Sequence, residues 1–334
     1  MRYDFHSKLH TFIRYSSLVP LAIILLPYTN MVQDLWEIRR NAHKSCATTN
    51  HPQKLVAGGC LELDHQQIAI AMEWYNRLCP TGEKVCDIVS PFIDFPAEFL
   101  QSPGHSINFC DVPNRKLELV KDFMCHLDDE SYFKNNYTAL AGVNIKSECH
   151  NATEMPENSE YWSSLALIED PLERFIYEFY QECELNTVNG RCYECDGNLE
   201  CFLGKQHVFD LLHAKERIAV RPPAQYFVPQ NWHCHFRAYQ DEYRVFLYNQ
   251  HDKWSHMLAI KDVLLQNGFS EQKLSHLLSD YALKLADQDF HYGQLNRWRR
   301  QILERRELYG PFVRQFFYDY IIFRLPFPEP KFSE

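Results

Sequence analysis

The sequence predicts an α/β domain with a central parallel sheet that is flanked by helices. The main observation is a strand–loop–helix unit that occurs twice: Ser106–Val112 precedes one set of apolar residues at helical spacing, and Leu165–Ile168 precedes another. Strands that alternate with helices in this way usually pair in parallel. With 334 residues, of which 46% are hydrophobic, the chain is long enough for one substantial domain, with or without a small satellite.

The spacing of apolar residues places the individual elements. In the first unit, Leu117, Val120 and Met124 recur at the interval of a helix. In the second unit, Pro171 suits a first helical turn, and Phe175 lies on the apolar face that follows. We predict one further strand, Tyr243–Tyr248, and four further helices over His65–Trp74, Ser255–Gln266, Ser270–Leu285 and Leu295–Leu308.

An uncharged segment near the N-terminus predicts a membrane anchor. Residues Tyr15–Gln33 carry no charge, and this length just spans the hydrocarbon core of a bilayer, which is about 30 Å thick. We therefore predict a short cytoplasmic tail over 1–14, a signal anchor over 15–33, a stem and lead-in over 34–100, and a luminal domain over 101–330. A cleaved signal peptide and a buried core helix are the alternatives for 15–33.

Cysteines and glycosylation sequons place the body of the chain in an oxidising compartment. All twelve cysteines follow the uncharged segment, and so many are unusual in a cytosolic enzyme, although buried free thiols are the alternative. Two sequons, at Asn136 and Asn151, also follow the segment. The expected topology is a single membrane segment with a luminal C-terminal domain. The net charge of −10 argues against a nucleic-acid partner.

Four segments occur in an order that resembles a known family. One of them contains the frame Asp170-Pro171-x-x-Arg174-Phe175, and a cysteine-rich excursion follows it. The four segments are Glu169–Phe179, Cys183–Phe202, Pro229–Phe236 and Val313–Pro326. Together they resemble the chondroitin-type and related carbohydrate sulfotransferases, and the resemblance extends over Phe92–Pro326.

The resemblance implies a fold, an activity and a location. The fold would be the P-loop-like sulfotransferase fold, after the N-terminal anchor. The protein would transfer a sulfuryl group from 3′-phosphoadenosine 5′-phosphosulfate to a hydroxyl of a glycan or glycosaminoglycan, as a single-pass protein of the Golgi membrane or in secreted form. Two alternatives stay open: a catalytically inactive relative that binds a glycan or a partner enzyme, and a disulfide-stabilised structural protein of unrelated fold.

The family's contact with the 3′-phosphate of the donor is altered in this sequence. The family pattern R-D-P-x-x-R-F-x-S-G-F supplies that contact through its first Arg and its Ser, where this chain has Glu169 and Tyr177. Asp170, Pro171 and Arg174 are retained. A charged hydrogen bond to phosphate contributes about 1.5–3 kcal/mol, and a carboxylate adds repulsion. A total loss of about 2–4 kcal/mol would weaken donor binding about 30- to 1000-fold.

The turn that would hold the 5′-phosphosulfate is altered too. If Cys110 and Cys125 align with the family's two cysteines, Asn114 occupies the position of its basic residue. Leu117 and Glu118 then occupy the positions of its hydroxyl residues. The neighbouring cations Arg115 and Lys116 are candidates to replace the missing charge through a shifted loop.

Three other groups of residues are candidates for function. His233 and His235 flank Cys234 and are candidates for the general base that a hydroxyl acceptor needs. Five cysteines are expected in disulfides and not in a zinc site, because no second C-x-x-C pair exists: Cys183, Cys192, Cys195, Cys201 and Cys234. Arginines between Arg297 and Arg306 form either a patch for an anionic polymer or a solvated helix face that packs Leu295, Trp298 and Ile302 inward.

Overall fold

The computed structural model describes twelve stretches of the chain, and the fold is reported for these alone. They are 33–35, 65–79, 86–93, 95–114, 116, 118–127, 151–185, 192–216, 224–249, 252, 254–287 and 292–332. The predicted anchor over 15–33 lies outside these residues, apart from Gln33. Among the described residues, no helix combines the length and the apolar character that crossing a bilayer requires.

The described strands form one mixed sheet with the order β3-β1-β2-β4-β5. Its parallel part is β2, β4 and β5, in which β4 pairs with both neighbours. An antiparallel edge is formed by β1 and β3. The strands are β1 (Phe99–Ser102), β2 (Ile107–Cys110), β3 (Asn151–Ala152), β4 (Ser163–Glu169) and β5 (Tyr243–Tyr248). The prediction of an α/β domain with a central parallel sheet is confirmed, with an antiparallel edge added.

Helices cover both faces of this sheet. Within the described residues they are α1 (His65–Leu78), α2 (Glu118–Cys125), α3 (Pro171–Phe179), α4 (Leu199–Glu216), α5 (Phe236–Tyr239), α6 (Ser255–Gln266), α7 (Glu271–Asp287), α8 (Tyr292–Glu304) and α9 (Arg306–Ile322). The predicted β5 and α6 are confirmed to the residue. The predicted helix over Leu295–Leu308 is divided, because α8 ends at Glu304 and α9 begins at Arg306.

The alternation of side chains along β4 explains how both faces of the sheet are buried. Leu165 and Leu167 belong to a core with residues of α2, α6 and α7. Ala166 and Ile168 point the other way, into a larger core with residues of α1, α3, α4, α8 and α9. A strand with both faces covered needs a continuous apolar run, which is the pattern that identified it in the sequence.

The described part of the predicted stem and lead-in packs on the same core. In α1, the Trp74 ring stacks on Phe327 with the ring centres 4.6 Å apart, and Tyr75 is buried. The hydroxyl of Tyr318, in α9, donates a hydrogen bond of 2.8 Å to the Asp34 carboxylate. The buried core therefore extends N-terminal of residue 101.

Disulfides connect elements that are distant in sequence as well as neighbours. The four described bridges are Cys79–Cys86, Cys110–Cys234, Cys183–Cys192 and Cys195–Cys201. Cys125 is disulfide-bonded as well. The prediction that the five cysteines of the excursion and of the Pro229–Phe236 segment form disulfides is confirmed. The Cys110–Cys234 bridge, with its Cα atoms 5.7 Å apart, ties the end of β2 to the turn before α5.

Loss of the Cys110–Cys234 bridge should destabilise the protein more than loss of Cys195–Cys201. The first bridge spans 124 residues and the second spans six, and the entropy that a cross-link removes from the unfolded chain grows with loop length. We expect paired Cys→Ala changes to lower the free energy of unfolding by about 5 kcal/mol and about 2 kcal/mol, respectively. Urea unfolding of the full-length chain measures both. Equal losses would contradict this loop-length argument.

Candidate functional site

The residues that the sequence singled out meet at the carboxyl edge of the parallel strands. Glu169 is the last residue of β4, and the loop from β2 to α2 carries Asn114 and Lys116. Because β2 and β4 run in parallel, both of their carboxyl ends lie at this edge. Open α/β sheets bind their ligands at such an edge. The edge is therefore the candidate functional site.

The Glu169 carboxylate is buried and is held by two donors from the β2–α2 loop. Its Oε1 accepts a hydrogen bond from Lys116 Nζ at 2.5 Å, and its Oε2 accepts one from Asn114 Nδ2 at 2.8 Å. Only 1% of the Glu169 surface is exposed. Burial raises the pKa of the Glu169 carboxyl, while the Lys116 ammonium and the Asn114 amide oppose that rise. The carboxylate thus has a partner on each oxygen.

The Lys116 ammonium is enclosed as completely as its partner. Its side chain has no exposed surface. Besides Glu169, it donates to the backbone carbonyl of Glu173 at 3.0 Å, and it lies 4.7 Å from the centre of the Tyr177 ring. Asn114 Oδ1 accepts from the Lys116 backbone N–H at 2.9 Å, which fixes the loop. Lys116 is therefore bound by a carboxylate, a carbonyl and an aromatic face.

The backbone amides at the start of α3 donate their hydrogen bonds to a carboxylate of the chain itself. Asp170 is the N-cap, and its Oδ1 accepts from the backbone N–H groups of Leu172 at 2.9 Å and Glu173 at 3.2 Å. Burial raises the pKa of the Asp170 carboxyl to about 6. Pro171 has no N–H to offer. These amides are the groups that often hold a phosphate at a helix N-terminus, and here Asp170 engages them.

Gln230 and Asp319 hold the end of β4 in place. The Gln230 amide accepts from the Glu169 backbone N–H at 2.9 Å and donates to the Glu169 carbonyl at 2.7 Å. Asp319, in α9, accepts from the backbone N–H groups of Gln230 at 2.8 Å and Asn231 at 2.9 Å. Two of the resembling segments therefore support the site. Both segments belong to the family resemblance, but the sequence alone predicted no role for these two side chains.

Arg174 connects α3 to two distant backbone segments. Its guanidinium donates to the carbonyls of Pro113 at 3.1 and 3.2 Å, Val228 at 2.9 Å and Gln225 at 3.2 Å. It is 1% exposed, and burial lowers its pKa while four surrounding carboxylates oppose that change. Arg174 thus fixes the β2–α2 loop against the backbone that directly precedes the Pro229–Phe236 segment. That it contacts a cofactor stays a prediction.

The arginine-rich helix packs as the solvated-face interpretation predicted. Leu295, Trp298 and Ile302 of α8 are buried. Arg299 forms a bidentate contact with the carboxylate of Glu173, at the start of α3. Arg305 pairs with Glu200 and Glu307. Arg299 thus brings a second cation close to the candidate site.

The two histidines of the Pro229–Phe236 segment differ in their surroundings. His233 is 1% exposed, its ring lies 4.9 Å from that of Phe95, and burial lowers its pKa to about 3. It is therefore neutral at neutral pH and is screened from solvent. His235 is half-buried at the start of α5, with its ring 6.0 Å from that of Phe99. A catalytic role for either one stays a prediction.

The remaining predicted residues are either peripheral or outside the described part of the chain. Glu118 is the exposed first residue of α2. Arg115, Leu117 and Asn136 lie outside the described residues. Asn151 belongs to β3, where it pairs with Leu100 of β1.

A donor 3′-phosphate does not fit this arrangement. At the position where the resembling family binds that group, Glu169 presents a carboxylate whose oxygens Lys116 and Asn114 already engage. The Tyr177 ring lies against the same ammonium, and Asp170 accepts the hydrogen bonds of the helix amides. In the part of the chain that the structure describes, the Lys116 ammonium, the Asn114 amide and the first amides of α3 are thus all engaged by groups of the chain itself.

Comparison with known proteins gives a family match and two relatives. The model of the Sulfotransferase family matches residues 97–326. Carbohydrate sulfotransferase chst-1 of Caenorhabditis elegans is 25% identical over 174 residues, which are 47% of this chain and 53% of that protein. The chain thus spans about half the length of this relative. Uncharacterized protein C18B2.2 of the same organism is 21% identical over 264 residues, 72% of each chain. No solved structure matches with significance.

Replacing Arg174 by Met should destabilise the protein strongly. The change leaves the carbonyls of Pro113, Val228 and Gln225 without their charged donor, and the expected loss of unfolding free energy is about 3 kcal/mol or more. Arg174→Lys should recover only part of it, because an ammonium does not span the guanidinium's acceptors. Denaturant unfolding measures both. The matched control, Arg77→Met, removes an exposed ion pair with Glu73 and a cation–π contact with Trp74, and should change stability by no more than about 1 kcal/mol.

Proposed function

The chain belongs to the sulfotransferase family, and we propose that it transfers a sulfuryl group to a hydroxyl of a glycan or glycosaminoglycan. The observation that carries the proposal is the meeting of the family's segments at one site: Gln230 and Asp319 hold the end of β4, where Glu169 meets the β2–α2 loop. The name of the relative chst-1, a carbohydrate sulfotransferase, supports the choice of acceptor.

The donor that the family implies is 3′-phosphoadenosine 5′-phosphosulfate. Its 3′-phosphate does not fit Glu169 and Tyr177 as they stand, so donor use depends on a change at the Lys116–Glu169 contact. On the acceptor side, the hydroxyl needs a nearby base, and half-buried His235 is better placed to reach solvent than His233.

A second candidate function is favoured by the same contact. A protein whose donor-site cation is bound internally, with Lys116 and Glu169 both buried, suits a non-catalytic role. Such a protein would bind a glycan or a partner enzyme on a retained sulfotransferase scaffold. Family membership does not distinguish the two, because a fold accommodates both active and inactive members.

For the location, we propose a single-pass protein of the Golgi membrane with a luminal domain, or a secreted form. The nine described cysteines are all disulfide-bonded, which supports an oxidising compartment. The uncharged segment over 15–33 and the sequons at Asn136 and Asn151 support the same location from the sequence.

A transfer assay tests the proposed activity. The full-length chain, purified from a secretory host, is incubated with sulfur-labelled donor and a panel of desulfated glycosaminoglycans and N-glycans. The label should move to at least one acceptor and should not move with heat-denatured protein. Retention of an unlabelled glycan on the protein without any transfer would reject catalysis and favour the second candidate. The absence of both transfer and retention would contradict both functions.

Glycosidase treatment tests the location. The expressed chain should run faster on a gel after removal of N-glycans, and Asn136→Gln and Asn151→Gln should each abolish one step of that shift. Alkylation without reduction should modify few thiols, since the described cysteines are bonded. A chain without glycans whose thiols all react would contradict a luminal location.

A further inference from the structure

The Lys116–Glu169 pair is unusual in how completely it is buried. Neither side chain has more than 1% of its surface exposed. Two charges in such a position are stable only with close contact and further hydrogen bonds, and removal of one partner leaves the other uncompensated. Here the further contacts are present: Asn114 on the carboxylate, and the Glu173 carbonyl and Tyr177 ring on the ammonium. The ammonium is thus held in a fixed position inside the protein.

The donors around the Glu169 carboxylate are those of an oxyanion site. The Lys116 ammonium and the Asn114 side-chain amide both belong to the loop that follows the parallel strand β2. Each donates a hydrogen bond to one of the two carboxylate oxygens. Proteins hold phosphate and sulfate with the same combination of a basic side chain and neutral N–H donors. Asn114 also fixes the Lys116 backbone, so the two donors keep their relative position. In this protein, however, the anion that these donors bind is the side chain of Glu169 and not an external ligand.

We propose that Asn114 and Lys116 form a latent site for a phosphate or sulfate oxyanion, and that Glu169 occupies it as an internal anion. The inference rests on the proposed function, since it identifies the contact that governs the donor's phosphate. It differs from a simple loss of the site. The family's basic position holds Asn114, but a cation is present in the same loop at Lys116, and a residue 53 positions further along the chain neutralises it.

Nearby charges favour an external anion once the carboxylate is neutral. Arg299 forms an ion pair with the Glu173 carboxylate at the start of α3. Buried Arg174 donates a hydrogen bond to the Pro113 carbonyl in the β2–α2 loop. The opposing charges are Asp170, whose oxygen already engages the helix amides, and Glu173, which Arg299 engages. With Glu169 uncharged, Lys116 would be the buried cation that lacks a counter-ion. A phosphate or sulfate from solution is the chemistry that satisfies it.

The test is Glu169→Gln in the full-length chain, with inorganic phosphate, sulfate and 3′-phosphoadenosine 5′-phosphate as probes. Glutamine keeps the shape of glutamate but removes the charge, and its one amide oxygen can accept from Lys116 or from Asn114 but not from both. The variant should unfold at a lower temperature than the native chain in chloride, and each oxyanion should raise its midpoint by several degrees. The native chain should respond little to the same concentrations.

Two variants separate this effect from a general effect of salt or mutation. Glu178→Gln changes another fully buried glutamate, on the same helix as Tyr177, and should gain no response to oxyanions. Adding Lys116→Met to Glu169→Gln removes the cation and should abolish the response that Glu169→Gln gains. A response to oxyanions that survives without Lys116, or that Glu178→Gln shares, would overturn the inference.

Two calorimetric measurements do not depend on the folding of Glu169→Gln. The native chain should bind 3′-phosphoadenosine 5′-phosphate weakly or not at all, and tight native binding would overturn the inference. The double change Glu169→Arg with Tyr177→Ser, which supplies the residue types of the family pattern, should strengthen binding tenfold or more. Failure of both Glu169→Gln and this double change to gain oxyanion binding would likewise overturn it.

These outcomes are distinguishable from those of the proposed function. If the native chain transfers sulfate but neither Glu169→Gln nor the double change gains oxyanion binding, the latent site is wrong and the activity stands. If Glu169→Gln gains the response but neither form transfers sulfate, the latent site stands and the proposed catalysis is wrong.

Discussion

Burial of a charged residue at the carboxyl end of β4 is the constraint on which the rest of the site depends. β4 is the central strand of the parallel part of the sheet, and its apolar residues enter both cores. Its last residue, Glu169, is therefore buried as well, and an uncompensated carboxylate there would be very unfavourable. Lys116 and Asn114 meet that demand from the neighbouring β2–α2 loop. The path of this loop is thus tied to the charge at the end of β4.

The retained parts of the family pattern have a structural explanation. Asp170 caps α3, Arg174 holds three backbone carbonyls, and Asp319 fixes the turn that contains Gln230. Buried polar groups must have hydrogen-bond partners, so each of these residues is needed for folding whether or not a donor is bound. The frame Asp170-Pro171-x-x-Arg174-Phe175 can therefore persist in a chain whose phosphate contacts have changed. Retention of the frame supports the fold more strongly than it supports catalysis.

The charged residues at the carboxyl edge of the parallel strands bear on the choice between the two proposed functions, sulfuryl transfer and non-catalytic binding. A sulfotransferase must offer positive charge to an anionic donor at the moment of transfer. In this chain the positive charge is present at Lys116 and Arg299, but Glu169 and Glu173 engage it. The choice between an enzyme and a binding protein therefore depends on how readily an external anion displaces the Glu169 and Glu173 carboxylates from these cations.

The sequence by itself determined the local elements and the chemical character of the cysteines. The apolar run of β4, the bounds of β5 and α6 and the disulfide state of the excursion were all predicted, because they depend on short-range periodicity and on compartment. The four-residue strand β1, which pairs with β2 and β3, was not predicted, since so short a strand has little pattern of its own. The partners were decided only by the tertiary structure: Cys110 with Cys234, Arg174 with carbonyls more than fifty positions away, and Lys116 with Glu169. The sequence predicted that Glu169 would repel a phosphate, but only the parallel alignment of β2 with β4 brings Lys116 to neutralise it. Such pairings depend on which strands lie side by side, and no local spacing of residues encodes that.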